Sequence, residues 1–294
     1  MRCVTFRQGK QISIGIVSGD NSTISVLSQF DGAPELGIVN LIESTKAPEP
    51  TGVHVKLDAV TLLAPVPRPR RNIICVGKNY VEHAHEFSGS GFDSSAAQGA
   101  IPSAPIVFSK LPETVVAHGD NVIIDPSVSE AIDYEAELCV IIGKGGRGIS
   151  RASALDHVWG YTIVNDVTAR DLQKLHSQWL IGKSQDSFCP MGPVAVTRDE
   201  LDLGDTAVRC WVNNDLRQSS NTSALIFDVP ELISTISRGI TLYPGDLIAT
   251  GTPAGVGIGF NPPRYLQSGD VVRVEIDGIG VLENTFISSE ERLP

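Results

Sequence analysis

The segment Asp133-Tyr-Glu135-Ala-Glu137-Leu-Cys-Val-Ile-Ile places two glutamates two residues apart at the head of an apolar run. Strand side chains repeat every second residue, so both point to one face, roughly 6.5 to 7 Å apart along the backbone and able to converge on one ion. A third acid, Asp166, closes another apolar run, Gly160-Tyr-Thr-Ile-Val-Asn. Three carboxylates with no cysteine or clustered histidine suit a hard cation: Mg2+, Mn2+ or Ca2+. The plainer alternative puts Glu135 and Glu137 on a solvated strand face. His83-Ala-His85-Glu86 forms a second set. On a helix His83 and Glu86 share a face at i,i+3, where a carboxylate orients an imidazole and raises its basicity. That is general-base chemistry, weighed against a surface helix with incidental polar residues. Lys183 and Arg170 could place cations beside a substrate carboxylate or enolate oxygen, or could be a solvated ammonium and an Arg170–Asp171 pair. Thr250-Gly-Thr252-Pro-Ala-Gly-Val-Gly has the small side chains that let backbone amides approach an anion, and reads equally as a strand-ending loop.

Gly143-Lys-Gly145-Gly-Arg-Gly148 matches GxGxxG and follows a strand. A dinucleotide site needs its last glycine in the first turn of a long crossover helix, whereas Ser150 reads as the N-cap of a helix of barely two turns. No G-x-S-x-G elbow occurs, and cysteines 3, 75, 139, 189 and 210 form no CxxC pair. Disulfide scaffold, structural zinc, serine-hydrolase and thiol readings are therefore weak.

These residues must be held by a mostly β framework. Short alternating or β-branched segments cover Val4 to Arg7, Ile12 to Val17, Ser22 to Val26 and Val60 to Leu63, a meander pattern. Residues 46–52 and the proline-rich stretch 65–71 read as punctuation, the second as the domain boundary. Further strands are expected at 72–77, 121–124, 134–142, 160–165, 207–212, 246–250, 270–276 and 280–286. Helices are expected at 80–87, 152–158, 169–179 and 230–237. The glycine- and serine-rich stretch 88–99 beside the helix of His83 is a lid candidate. The βαβ alternation of a doubly wound sheet is missing.

The chain has 294 residues, 41% hydrophobic and 19% charged, which is globular composition able to bury a core. Thirty-four acids against 23 bases leave a net charge of −11, which disfavours a nucleic-acid partner. No apolar run is long enough for a signal or membrane segment, so a soluble cytosolic protein is expected.

Five motifs in order and spacing resemble the fumarylacetoacetate hydrolase superfamily over residues 70–287. They are Gly77-Lys-Asn-Tyr80-Val-Glu-His83-Ala-His-Glu86, Asp133-Tyr-Glu135-Ala-Glu137-Leu, Asn165-Asp166-Val-Thr-Ala-Arg170-Asp171-Leu-Gln173, Gly182-Lys183-Ser and Thr250-Gly-Thr252-Pro. The resemblance implies an α+β, mostly β fold: a small N-terminal β domain over residues 1–65, and a mixed β-roll or barrel catalytic domain over 66–294 with a lid at about 80–104. It further implies a Mg2+ or Mn2+ site at Glu135, Glu137 and Asp166, catalytic roles for His83, Glu86 and Lys183, and substrate contacts from Lys78, Arg170, Gln173, Thr250 and Thr252. A homodimer is also implied. The founding fumarylacetoacetate hydrolases carry an additional aspartate ligand seven residues before the histidine, where this chain has Val76. That departure points to the three-ligand members acting on small oxo acids.

In that setting a 2-oxo carboxylate chelates the ion and C3 becomes acidic. If His83 activates water against a 2,4-dioxo acid, the outcome is C–C hydrolysis. If it shuttles a proton between C3 and the enol oxygen of oxaloacetate, the outcome is keto–enol tautomerism, and loss of CO2 would reach the same enolate. A non-catalytic metal- or ligand-binding member is the remaining alternative.

Overall fold

The computed structural model describes residues 1–28, 30–45, 47–93 and 101–291. Alternating apolar residues in the first segment build an antiparallel meander: β1 (Arg2–Gln8), β2 (Gln11–Val17), β3 (Thr23–Leu27), the short helix α1 (Val39–Glu43), β4 (Pro50–Lys56) and β5 (Thr61–Leu63). β4 begins inside the stretch expected as punctuation. Pro50 is tolerated there because it opens an edge strand, where a missing N–H costs little. The proline-rich connector is packed down: the Pro65 carbonyl accepts from the Thr5 hydroxyl at 2.8 Å and from the Ile38 amide at 3.0 Å.

Beyond it follow β6 (Ile73–Gly77), α2 (Val81–Gly89), β7 (Ile106–Lys110), β8 (Val115–Val116), β9 (Asn121–Ile124), β10 (Ile132–Asp133), β11 (Ala136–Ile142) and β12 (Val158–Asn165). Then come β13 (Thr168–Ala169), α3 (Arg170–Leu175), α4 (Leu180–Lys183), β14 (Cys189–Thr197), β15 (Ala207–Val212), β16 (Asp215–Asn221), α5 (Val229–Ser237), β17 (Leu247–Ala249), β18 (Val271–Ile276) and β19 (Gly280–Ser288). One large sheet runs β4-β3-β2-β1-β14-β12-β11-β17-β6-β7, with β5 on β1 and β8 on β14. A second sheet runs β16-β15-β18-β19-β9, and β10 pairs β13. The fold is mostly β, as expected. The antiparallel seam of β1 on β14 sutures the first 65 residues to the rest.

At the centre, all seven residues of β11 are buried, and the strand is hydrogen-bonded to β12 on one side and β17 on the other. This is the packing its unbroken apolar run requires. At Gly160 in β12 a Cβ would lie 1.9 Å from the Val196 carbonyl oxygen, so only glycine lets β14 approach.

Three expectations about elements need correction. Residues 151–157 form a 3-10 helix, although Ser150 does cap it by accepting the Ser153 amide. The helix expected over 169–179 is broken: α3 stops at Leu175, Ser177 adopts φ 60°, and α4 restarts at Leu180. β14 was not anticipated, because Pro190 and Pro193 argue against a central strand. Pro193 falls where the β12–β14 ladder shifts register, a place that tolerates a missing donor. Of the lid candidate, α2 and residues 90–93 are described, and residues 94–100 lie outside the described residues. No helix among the described residues is long and apolar enough to cross a membrane.

Candidate active site

Glu135 immediately precedes β11, Glu137 is its second residue, and Asp166 follows the last residue of β12. The antiparallel register sets Ala136 opposite Asn165. Two hydrogen bonds lock that end: the Asn165 side chain accepts the Glu135 amide at 2.9 Å, and the Asp166 amide donates to the Glu135 carbonyl at 2.9 Å. Glu135, Glu137 and Asp166 are therefore buried together, with one carboxylate oxygen from each lying within 4.8 Å of the others.

The charges around them are unevenly shared. Lys183 Nζ lies 2.7 Å from Glu135 Oε2 and 2.8 Å from Asp166 Oδ2. Arg170 Nη1 lies 2.7 Å from Glu135 Oε1. Burial pushes the Glu135 carboxyl up, but Lys183, Arg170 and His83 together outweigh it and hold it down to about 2. Glu137 has no cation at ion-pair distance among the described residues and accepts the Gly251 amide at 2.9 Å. Burial and the neighbouring Asp166 and Glu135 charges push its carboxyl well above the ordinary range. Burial works against the Lys183 ammonium, yet Asp166 and Glu135 hold it above its usual value. Three hard oxygen donors in a buried cluster, one of them with no cation at ion-pair distance among the described residues, match the donor set a hard divalent ion takes.

Arg170 is clamped at its base by Asp133, whose Oδ2 is 2.9 Å from Nε, and Nη1 also donates to Gln173 Oε1 at 3.2 Å. Nη2 is buried with no hydrogen-bond partner among the described residues. A buried guanidinium donor without an acceptor is costly, so the cleft is built for a ligand that brings one.

α2 supplies the other wall. Its position is set by Asn79, whose side-chain amide donates to the Thr250 carbonyl at 2.7 Å and accepts the Phe227 amide at 2.8 Å. His83 is buried against the cleft, and its Nδ1 lies 3.1 Å from Glu86 Oε2. Glu86 in turn accepts the Gly255 amide at 3.0 Å. The loop after β17 turns at Gly251, whose φ of 103° requires glycine and brings its amide onto Glu137.

These elements surround a narrow cleft. Lys78, His83, Glu135, Glu137, Arg170, Gln173, Lys183 and Thr252 line it. Asp166 sits behind Lys183. Thr250 turns its hydroxyl back onto the Leu138 carbonyl at 2.9 Å, so Thr252 is the threonine of the pair that reaches the cleft. Lys78, held at φ 53°, is ion-paired to Asp93 at 2.9 Å. Val76 also lines the cleft, a methyl-bearing wall where a fourth carboxylate would stand in the founding hydrolases. Sequence reasoning gave no role to Asp133, Asn79, Lys110 or Gln218, whose side chain accepts the Ala136 amide at 3.0 Å and donates to the Thr252 hydroxyl at 2.7 Å. Asp133 lies within a motif already singled out. Lys110 carries only a weak signal, a lysine ending the apolar strand Ile106-Val-Phe-Ser.

The family model described as Fumarylacetoacetate (FAA) hydrolase C-terminal matches residues 72–287, and one described as Rv2993c-like, N-terminal matches residues 1–65. The chain thus belongs to the fumarylacetoacetate hydrolase family and is an enzyme of that family. It is 54% identical over 229 residues to oxaloacetate tautomerase YisK of Bacillus subtilis, covering 78% of this chain and 73% of the relative. Among solved structures, it is 41% identical to the fumarylacetoacetate hydrolase of Exiguobacterium antarcticum, with a TM-score of 0.84, covering 98% of this chain and 99% of that one. It is 30% identical to the maleylpyruvate hydrolase of Sphingobium sp. SYK-6 in complex with manganese(II) and pyruvate, with a TM-score of 0.74, covering 98% of this chain and 99% of that one.

Proposed function

We propose that this protein is a divalent-metal-dependent enzyme that interconverts the keto and enol forms of a small 2-oxo dicarboxylic acid of the oxaloacetate type. The observation that carries this reading is the buried set of Glu135, Glu137 and Asp166, two of which, Glu135 and Glu137, share one cleft with His83. Those three carboxylates would hold Mg2+ or Mn2+, which supplies Lewis acidity toward the oxygens of a 2-oxo acid. The name of the Bacillus relative and the manganese and pyruvate in the Sphingobium structure support the choice of chemistry.

The chain's own residues do the rest. Glu86 accepts at Nδ1 and so favours the His83 tautomer whose Nε2 is free of a proton and able to take one from C3. The same nitrogen delivers that proton to the enol oxygen, and the reverse passage returns it to C3, so no water is consumed. Lys183 and the free Nη2 of Arg170 bind negative charge on the substrate, and Lys78, Gln173 and Thr252 complete the cleft wall. Phe87, Phe108 and Trp179 pack edge-on beside these groups and keep water out.

A second reading, cleavage of a C–C bond in an acylpyruvate, follows if His83 activates water instead. The Sphingobium relative favours keeping it. One assay separates the two: decay of enol-oxaloacetate absorbance against cleavage of acetylpyruvate, each with Mg2+ or Mn2+ and with chelator. Metal-dependent decay of the first without cleavage of the second supports tautomerism; the reverse replaces it with hydrolysis, and no response from either sinks both. A homodimer fits the exposed Leu175, Leu180 and Ile181 on α3 and α4 together with Val107 and Leu111 at the edge of the large sheet, and light scattering of the native protein tests it.

A further inference from the structure

Asp166 is gripped from two sides. Its Oδ2 faces Lys183 in the cleft wall, while its Oδ1 lies 2.7 Å from the ammonium of Lys110, which has no exposed surface. Lys110 is the last residue of β7, paired with Ile73 of β6, so a strand end delivers this ammonium behind the cleft. An ammonium has three donors. Here all three are spent, on Asp166 Oδ1, on the Val167 carbonyl at 2.9 Å, and on the carbonyl of Lys183 itself. None remains for a substrate, and Lys110 does not line the cleft.

The third contact joins two parts of the site. Lys183 ends α4, a helix of four residues whose terminal carbonyls lack partners within the helix. By holding that carbonyl and Asp166 Oδ1 together, Lys110 refers both the carboxylate and the backbone that carries the Lys183 ammonium to one buried point. We propose that Lys110 is a positioning residue for the ion: it holds Asp166 by Oδ1 so that Oδ2, the oxygen turned toward Lys183, is the one presented to the metal, and it anchors the end of α4 so that Lys183 stands beside it. This inference rests on the reading of Glu135, Glu137 and Asp166 as metal ligands.

Simple charge counting makes the opposite forecast. A cation 2.7 Å from a ligand oxygen repels a divalent ion, so deleting it would tighten binding. The sign of the effect decides between them. Lys110→Met keeps the length and loses the charge and donors, and Lys110→Gln restores part of the hydrogen bonding. Free Mn2+ is followed by electron paramagnetic resonance during titration of wild type and both variants, with folding monitored by circular dichroism. The expected result is Mn2+ affinity at least about tenfold weaker in Lys110→Met, the loss typical of groups that orient a metal ligand, with Lys110→Gln in between. At saturating Mn2+ the expected kcat of Lys110→Met stays below wild type, because Lys183 is no longer held. Unchanged or tighter Mn2+ binding in folded Lys110→Met overturns the proposal, as does failure of both variants to fold, which would make Lys110 an element of the fold alone. A wild type that binds no Mn2+ defeats the metal reading itself, a distinct result.

Discussion

Oε2 of Glu86 lies 3.1 Å from Nδ1 of His83, one helical turn away, and the same carboxylate accepts the amide of Gly255 from across the cleft. In the proposed reading, the residue that would aim the base is thus held by the loop after β17 as well as by its own helix. Glu86→Gln keeps the length of the side chain and removes its charge. The expected outcome is a kcat lower by about ten- to a hundredfold with Mn2+ affinity unchanged, a part of the ~10²–10⁴ that a positioned proton-transfer group supplies. Steady-state kinetics beside an Mn2+ titration check it, and an undiminished kcat would deny Glu86 its orienting role.

Gly259 tests the same contact from the loop side. A Cβ there would lie 1.8 Å from Glu86 Oε1, and the atom met is the end of a flexible side chain. Gly259→Ala should therefore push Glu86 away from His83 with little loss of stability. Its kcat should fall toward that of Glu86→Gln while the melting temperature moves by no more than a few degrees. Normal turnover in Gly259→Ala would mean that the Glu86 carboxylate has another productive position.

In the proposed reading, metal binding and proton transfer are carried by different side chains, so they should separate. Glu137→Ala is expected to lose Mn2+ binding and turnover together, whereas His83→Ala keeps the ion and loses about 10²–10⁴ in rate. Isothermal titration with Mn2+ and the enol-oxaloacetate assay measure the two. Turnover by Glu137→Ala shown to be metal-free would contradict the assignment.

Glu137 also sets a pH dependence in the metal-free protein. Its folded pKa is raised by burial and by Asp166 and Glu135, so its contribution to stability is fully present below the ordinary carboxylate range and is lost as pH rises toward the raised value. Glu135 runs the other way: held down to about 2 by Lys183, Arg170 and His83 against the cost of burial, it contributes above the ordinary range and loses this as pH falls toward 2. In chelator, Glu137→Gln should match wild type near pH 4 and exceed it by about 1–3 kcal/mol at pH 8, the cost of an uncompensated buried group. Thermal melts across that range check it. A wild type whose stability does not decline toward pH 8 would show that Glu137 ionises there without penalty.

Much of the site is legible in the chain because its groups are local. Glu135 and Glu137 share a face through strand periodicity, and His83 and Glu86 meet through one helical turn, so spacing raises both pairs as candidates beside the plainer readings of a solvated strand face and a surface helix. Composition and the apolar run of β11 likewise announce a buried, mostly β core. Other features depend on partners distant in sequence. Asp166 reaches the glutamates only because β12 lies antiparallel to β11 with Ala136 opposite Asn165. Lys110 reaches Asp166 across 56 positions, and Glu86 reaches Gly255 across 169. β14 hides behind two prolines, and the missing donor of Pro193 is tolerable only once the ladder is known to shift register there. Sequence by itself determined which side chains could bind an ion or move a proton, since periodicity is a property of the local backbone. Tertiary structure alone decided which carboxylate is neutralised and which is not, because the energy of a buried charge depends on what the fold brings within a few ångströms of it.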